Sequence, residues 1–148
     1  MSNDNSNMQV QGVWQLTSRV DVDSSGQRHI DPALGADPLG ILCFSRDHFA
    51  AQFMKRDRSG EPTAVQVAQG ANNSSASNGY DAYFGSYTVD QASGLLKVRL
   101  EGAITPSNIG SEFERQIRVQ GNELTITLAT TSVEGTPISR TLTFARLD

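Results

Sequence analysis

One cysteine, two histidines and one tryptophan occur among 148 residues, and these scarcities narrow the field first. Cys43 has no second cysteine to pair with, so a disulfide-stapled secreted scaffold is excluded. It lies in the apolar run Ile41-Leu42-Cys43-Phe44 and reads as a small buried hydrophobe; a catalytic thiol would need an electropositive, accessible setting. His29 and His48 are too few, and too far apart, for the usual zinc constellation, so neither a metal nor another cofactor is expected. Basic residues are also short: 12 Lys and Arg stand against 16 Asp and Glu, a net charge of -4 with no compensating basic run. Nucleic acid is therefore a poor partner. No apolar run is long enough for a membrane-spanning helix, and Met1 to Asn7 lack the apolar core of a signal peptide. A cytoplasmic protein that does not engage a membrane is the expectation. The chain has no G-x-S-x-G elbow, P-loop or G-x-G-x-x-G, which argues against nucleophilic hydrolysis, ATP chemistry and nicotinamide chemistry.

What is present reads as one domain. A chain of this length buries roughly two thirds of its unfolded surface without staples, and 37% hydrophobic with 19% charged residues is ordinary for a soluble globular protein. Residues 1–9 read as a disordered lead-in and residues 10–148 as the domain. From 12 to 22 the chain alternates, with Trp14, Leu16, Val20 and Val22 on one face and Gln15, Thr17, Arg19 and Asp21 on the other. Asp23-Ser24-Ser25-Gly26 is a turn, and Asp31 and Pro32 mark an irregular connection. Residues 39–45 and Phe49 to Met54 form a hairpin. Residues 55–79 turn polar and predict a long loop, with a short helix at Thr63 to Gln69 as the alternative; it is either a lid over a cavity mouth or a mobile loop. Alternation returns at Tyr80 to Val89, Leu95 to Gly102, Phe113 to Val119, Leu124 to Leu128 and residues 138–147. About eight antiparallel strands with short turns predict an all-β, up-and-down barrel.

Gly12-x-Trp14 at the start of the first strand resembles the lipocalin signature, in which the tryptophan closes the barrel floor and an arginine near the end of the last strand packs over its ring. Arg146, in Thr143-Phe144-Ala145-Arg146, stands at that place. The segments Pro38-Leu39-Gly40-Ile41-Leu42, Ala51-Gln52-Phe53-Met54, Tyr83 to Val89, Glu101-Gly102 and Gly121 to Thr127 resemble the microbial lipocalin-like domain proteins, over nearly the whole chain. Members of that group often carry a His-His pair before Glu-Gly, where this chain has Val98 and Arg99. The resemblance implies an enclosed pocket for a small, mostly apolar molecule, with Trp14 and Arg146 as structural residues.

Alternation supplies the candidate site. Arg115 lies between Phe113 and Ile117, and Arg140 between Ile138 and Leu142, so both should point into the barrel or sit at its rim. A buried guanidinium needs a carboxylate, a ring face or a polar ligand. For these two arginines, a rim position or an internal salt bridge, with Glu101 as a partner, stands beside binding of a carbonyl, enolate or carboxylate. Tyr83, Gly85, Tyr87 and Val89 share a face with Asp81, and a tyrosine there is either wall packing or a proton donor. His48 opens the Phe49 strand, as a solvated hairpin residue or as an acid or base at the mouth; His29 receives no role. Arg115, Tyr87 and Glu101 are thus the catalytic candidates, and Tyr83, Arg140, Phe53, Phe113, His48 and Leu100 the ligand contacts. Arginines and a carboxylate expected on inward faces favour a cofactor-free isomerase or cyclase of a hydrophobic polyketide or terpenoid intermediate, with a non-catalytic carrier or sensor as the alternative of different class. A barrel filled by its own side chains is the third possibility. A homodimer through a barrel edge stays open.

Overall fold

Alternating apolar and polar side chains set the strands of this computed structural model, which describes residues 9–57 and 79–148. The strands are β1 (Gly12–Val22), a two-residue β2 (Arg28–His29), β3 (Leu39–Phe44), β4 (His48–Met54), β5 (Tyr80–Asp90), β6 (Leu95–Ala103), β7 (Glu112–Gln120), β8 (Glu123–Thr131) and β9 (Pro137–Arg146), with one 3-10 turn at Pro106–Asn108. Each large strand pairs antiparallel with the next, and β9 returns to β1; β2 adds only a short flap to the end of β1. Eight strands therefore close an up-and-down barrel. The lead-in expected at 1–9, apart from Gln9, and residues 58–78 of the expected loop lie outside the described residues.

One end of the barrel gathers the start of β1, the end of β9 and the β3–β4, β5–β6 and β7–β8 hairpins; we call it the closed end. Trp14, fully buried there, donates its indole N–H to Val10 O at 2.8 Å. The Arg146 guanidinium lies 4.1 Å from the ring centroid and donates to Gln11 O (2.7 Å) and Gln9 O (3.1 Å). Ring, N-terminal segment and last strand are thereby tied together.

Two bulges decide which side chains face inward. In β1 the pairing with β9 shifts between Leu16 and Ser18, so Thr17 is an extra residue. One extra residue reverses parity: Trp14 and Leu16 point inward, and beyond the bulge Arg19 and Asp21 do. The expectation that Val20 and Val22 face the core, with Arg19 and Asp21 outside, is thereby corrected. In β6 the extra residue is Glu101, opposite the step from Phe84 to Gly85. The backbones approach so closely there that a Cβ on Gly85 would sit 1.9 Å from Arg99 O. Only glycine fits.

Candidate ligand-binding site

The inward faces leave a cavity of about 70 Å³ inside the barrel. At roughly 10–15 Å³ per water centre this is room for about five waters, so side chains fill most of the interior. Phe44, Phe49, Phe53 and Tyr83 form one wall, with the Tyr83 ring centroid 6.0 Å from that of Phe49 and 6.2 Å from that of Phe53. Leu96, Phe113, Ile126, Leu128, Leu142 and Phe144 form much of the rest. Among the described residues, the charged groups on the lining are Arg19, Arg115 and Arg140, and no carboxylate forms part of that lining. The Arg115 guanidinium lies 4.1 Å from the Phe113 ring centroid, and its Nη1 donates to Glu114 O at 2.9 Å. Burial lowers its pKa, Tyr83 opposes that shift and Arg140 adds to it; a guanidinium remains cationic throughout.

Behind the other two arginines lies a buried ionic network at the far end of the barrel. Arg140 grips Asp21 with two donors, Nε to Oδ1 at 3.0 Å and Nη2 to Oδ2 at 3.2 Å. Such a fork fixes orientation as well as charge. Arg19 donates to Asp31 at 2.8 Å and lies 3.9 Å from Asp21. Burial lowers the Arg19 pKa, as does Arg140, against the attraction of the two aspartates. The other Asp31 oxygen accepts from Ala33 N–H at 2.9 Å, and Gly35 N–H donates to Asp31 O at 2.7 Å. These bonds turn the chain so that Leu34, 1% exposed, becomes part of the cavity wall. Asp81 faces inward from β5, 2% exposed, and its Oδ2 has no hydrogen-bond partner among the described residues. Burial pushes its pKa to about 7, against a backbone hydrogen bond from Ala82 and the charge of Arg19, while Asp31 adds to the rise.

Of the residues singled out by sequence, Arg115, Tyr83, Arg140, Phe53 and Phe113 meet at the cavity. Leu100 is 1% exposed but belongs to the packed core and not to the cavity lining. Tyr87 also faces the core; its hydroxyl donates to Ser45 O, it packs edge-on to Phe44 at 4.8 Å, and burial raises its pKa to about 12. Glu101 and His48 lie on the outer surface, with His48 Nε2 3.5 Å from Glu101 and Nδ1 2.7 Å from Asp47. That Asp47 bond raises the His48 pKa. Arg140 is paired with Asp21 and not with Glu101, because Glu101 lies on the outward face of β6 with Lys97 and Arg99.

Sequence reasoning assigned no role to Arg19, Asp21, Asp31, Asp81 or Leu34. Asp81 could have been found, since it precedes Tyr83 by two residues in an unbroken alternation. The Thr17 bulge concealed Arg19 and Asp21, and Asp31 and Leu34 lie in a connection without period. No group of three or more His, Cys, Asp or Glu among the described residues is placed to hold a metal ion.

No curated protein matches the chain. The sequence profile of the lipocalin-like domain does, and its match runs over residues 11–147, from just before β1 to just after β9, so the chain belongs to the lipocalin-like domain family.

Proposed function

We propose that the barrel binds a small, mostly apolar molecule bearing one anionic or carbonyl oxygen, held at Arg115, and that it acts as a carrier or sensor. The observation that carries this reading is the lining, with three arginines and no carboxylate among apolar walls. Arg19 and Arg140 already engage Asp31 and Asp21. Arg115, stacked on Phe113, is the guanidinium best placed to meet a ligand oxygen. The size of the cavity favours short chains or single rings.

Calorimetric titration with straight-chain carboxylates and the alcohols of equal length tests the reading. The acids bind about tenfold or more tightly than the alcohols, as a charge-assisted hydrogen bond requires, and Arg115→Gln abolishes the difference. Equal affinities for acid and alcohol, or no saturable binding of either, would sink it.

A second reading, a cofactor-free isomerase or cyclase of a polyketide or terpenoid intermediate, is favoured by the joint presence of Tyr83 and Arg115 on the cavity wall. Arg115 would stabilise an enolate oxygen and Tyr83 would exchange its proton. Hydrogen–deuterium exchange at the central carbon of 2,4-pentanedione is the probe. Acceleration lost in Arg115→Gln and Tyr83→Phe supports catalysis; a rate equal to buffer alone refutes it.

A further inference from the structure

The β7–β8 ladder stops halfway. Each strand has nine residues, yet pairing runs only from Gln120↔Glu123 to Gln116↔Thr127. Beyond that point, residues 112–115 pair with β6 and residues 128–131 with β9. The wall therefore forks, leaving a notch continuous with the far rim of the barrel. Of the inward side chains, Ile117, Leu124 and Ile126 in the paired segment are buried and Val119 beside the hairpin turn is partly exposed, whereas Phe113, Arg115 and Leu128 above the fork are all partly exposed and line the cavity. Across the rim, Leu34 is 1% exposed, Ile138 and Arg140 are buried, and the Arg19–Asp31 pair holds residues 31–35 in place.

We propose that ligand enters and leaves through this β7–β8 notch, and that Arg115 at its edge selects molecules with an anionic end. The proposal rests on the binding reading above and adds the route and the orientation. Widening the notch separates strand segments that share no ladder there. Passage on the side of the same rim away from the notch would expel Leu34 and break a buried ion pair, which is costly. A partly exposed guanidinium also draws an anion toward the notch. An anionic end that stays at Arg115 avoids full desolvation, while the apolar part lies against Leu96, Ile126 and Phe144. The ligand class is a short monoanionic amphiphile.

The test follows exchange of 4,4,4-trifluorobutyrate by fluorine NMR. Glu114 and Ala129 are exposed and face each other if the paired register continues upward. Glu114→Cys/Ala129→Cys in a Cys43→Ser background, once oxidised, clamps the notch. Association and dissociation both slow by about tenfold or more with the Kd unchanged, since a barrier on the path acts on both rates, and reduction restores them. Pro32→Gly, which loosens residues 31–35 on the far side of the same rim without touching the cavity lining, leaves the association rate as it was. An oxidised clamp with the unclamped exchange rate overturns the notch, as does a large acceleration in Pro32→Gly. The latter variant decides the matter even if the disulfide does not close. Absence of saturable binding by trifluorobutyrate and longer acids overturns the binding reading itself; binding with unaltered kinetics in the clamp overturns the notch alone.

Discussion

Asp81 makes the stability of this barrel depend on pH in an unusual direction. Its pKa rises from 3.8 to about 7 on folding. A carboxyl whose folded pKa is raised favours the folded state below its unfolded pKa, and loses that contribution as pH climbs through the folded value. Stability from this group is therefore full near pH 4, falls between pH 4 and 7, and is gone above. About three pKa units at 1.36 kcal/mol each give a loss of about 4 kcal/mol, a large fraction of the roughly 5–15 kcal/mol that holds a domain together. Asp81→Asn keeps the shape and removes the titration. Its amide places a donor where Oδ2 has no partner among the described residues, which costs about 1–3 kcal/mol at every pH. The diagnostic quantity is thus the slope and not the offset. Urea unfolding of both proteins at constant ionic strength, from pH 4.5 to 8.5, reads it. The variant gains on the parent as pH rises, by up to about 4 kcal/mol, and groups such as Asp23 and His48, common to both, cancel in the difference. A stability difference that stays flat with pH, or that moves the other way, would refute the assignment.

Asp21→Ala leaves Arg140 buried without the carboxylate that accepts its two donors and removes a weaker attraction at 3.9 Å on Arg19, which keeps Asp31; urea unfolding shows a cost of about 3–5 kcal/mol. Arg146→Lys gives up the stack on Trp14 and the paired donors to Gln9 and Gln11. It lowers stability by about 1–2 kcal/mol and shifts the Trp14 emission to the red as water reaches the ring. Tyr87→Phe removes the bond to Ser45 O and costs about 1 kcal/mol; carboxylate affinity by calorimetry stays the same, and a marked fall would return Tyr87 to the site. Asp47→Asn lowers the pKa of His48, measured by NMR titration, because the Asp47 hydrogen bond is the largest cause of its rise.

The candidate site was half legible in the chain. Arg115, Phe113, Phe53, Tyr83 and Arg140 lie on strands whose inward faces keep a strict two-residue period, so their direction could be read without coordinates. Glu101 and Tyr87 fall outside the site for different reasons. Glu101 shares the outward parity of Lys97 and Arg99, which the apolar alternation of β6 already carries, and a hydrogen bond to Ser45 O in the β3–β4 turn engages the Tyr87 hydroxyl. His48 opens an inward-facing strand, but its parity and its neighbour Asp47 keep it at the surface.

By itself the sequence determined the barrel and its strand order, because alternation and turn residues are local signals that survive any arrangement of the remainder, while the Trp14–Arg146 seal was implied by the resemblance to the lipocalin signature. Tertiary structure alone decided the chemistry of the interior. The Thr17 bulge reversed β1 and brought Arg19 and Asp21 inside; the fold of residues 31–35 put Asp31 beside Arg19 and Leu34 into the cavity; and the early end of the β7–β8 ladder left Arg115 at an opening. Each depends on register between strands far apart in the chain, and a single inserted residue changes register without changing the apolar pattern that announces the strand.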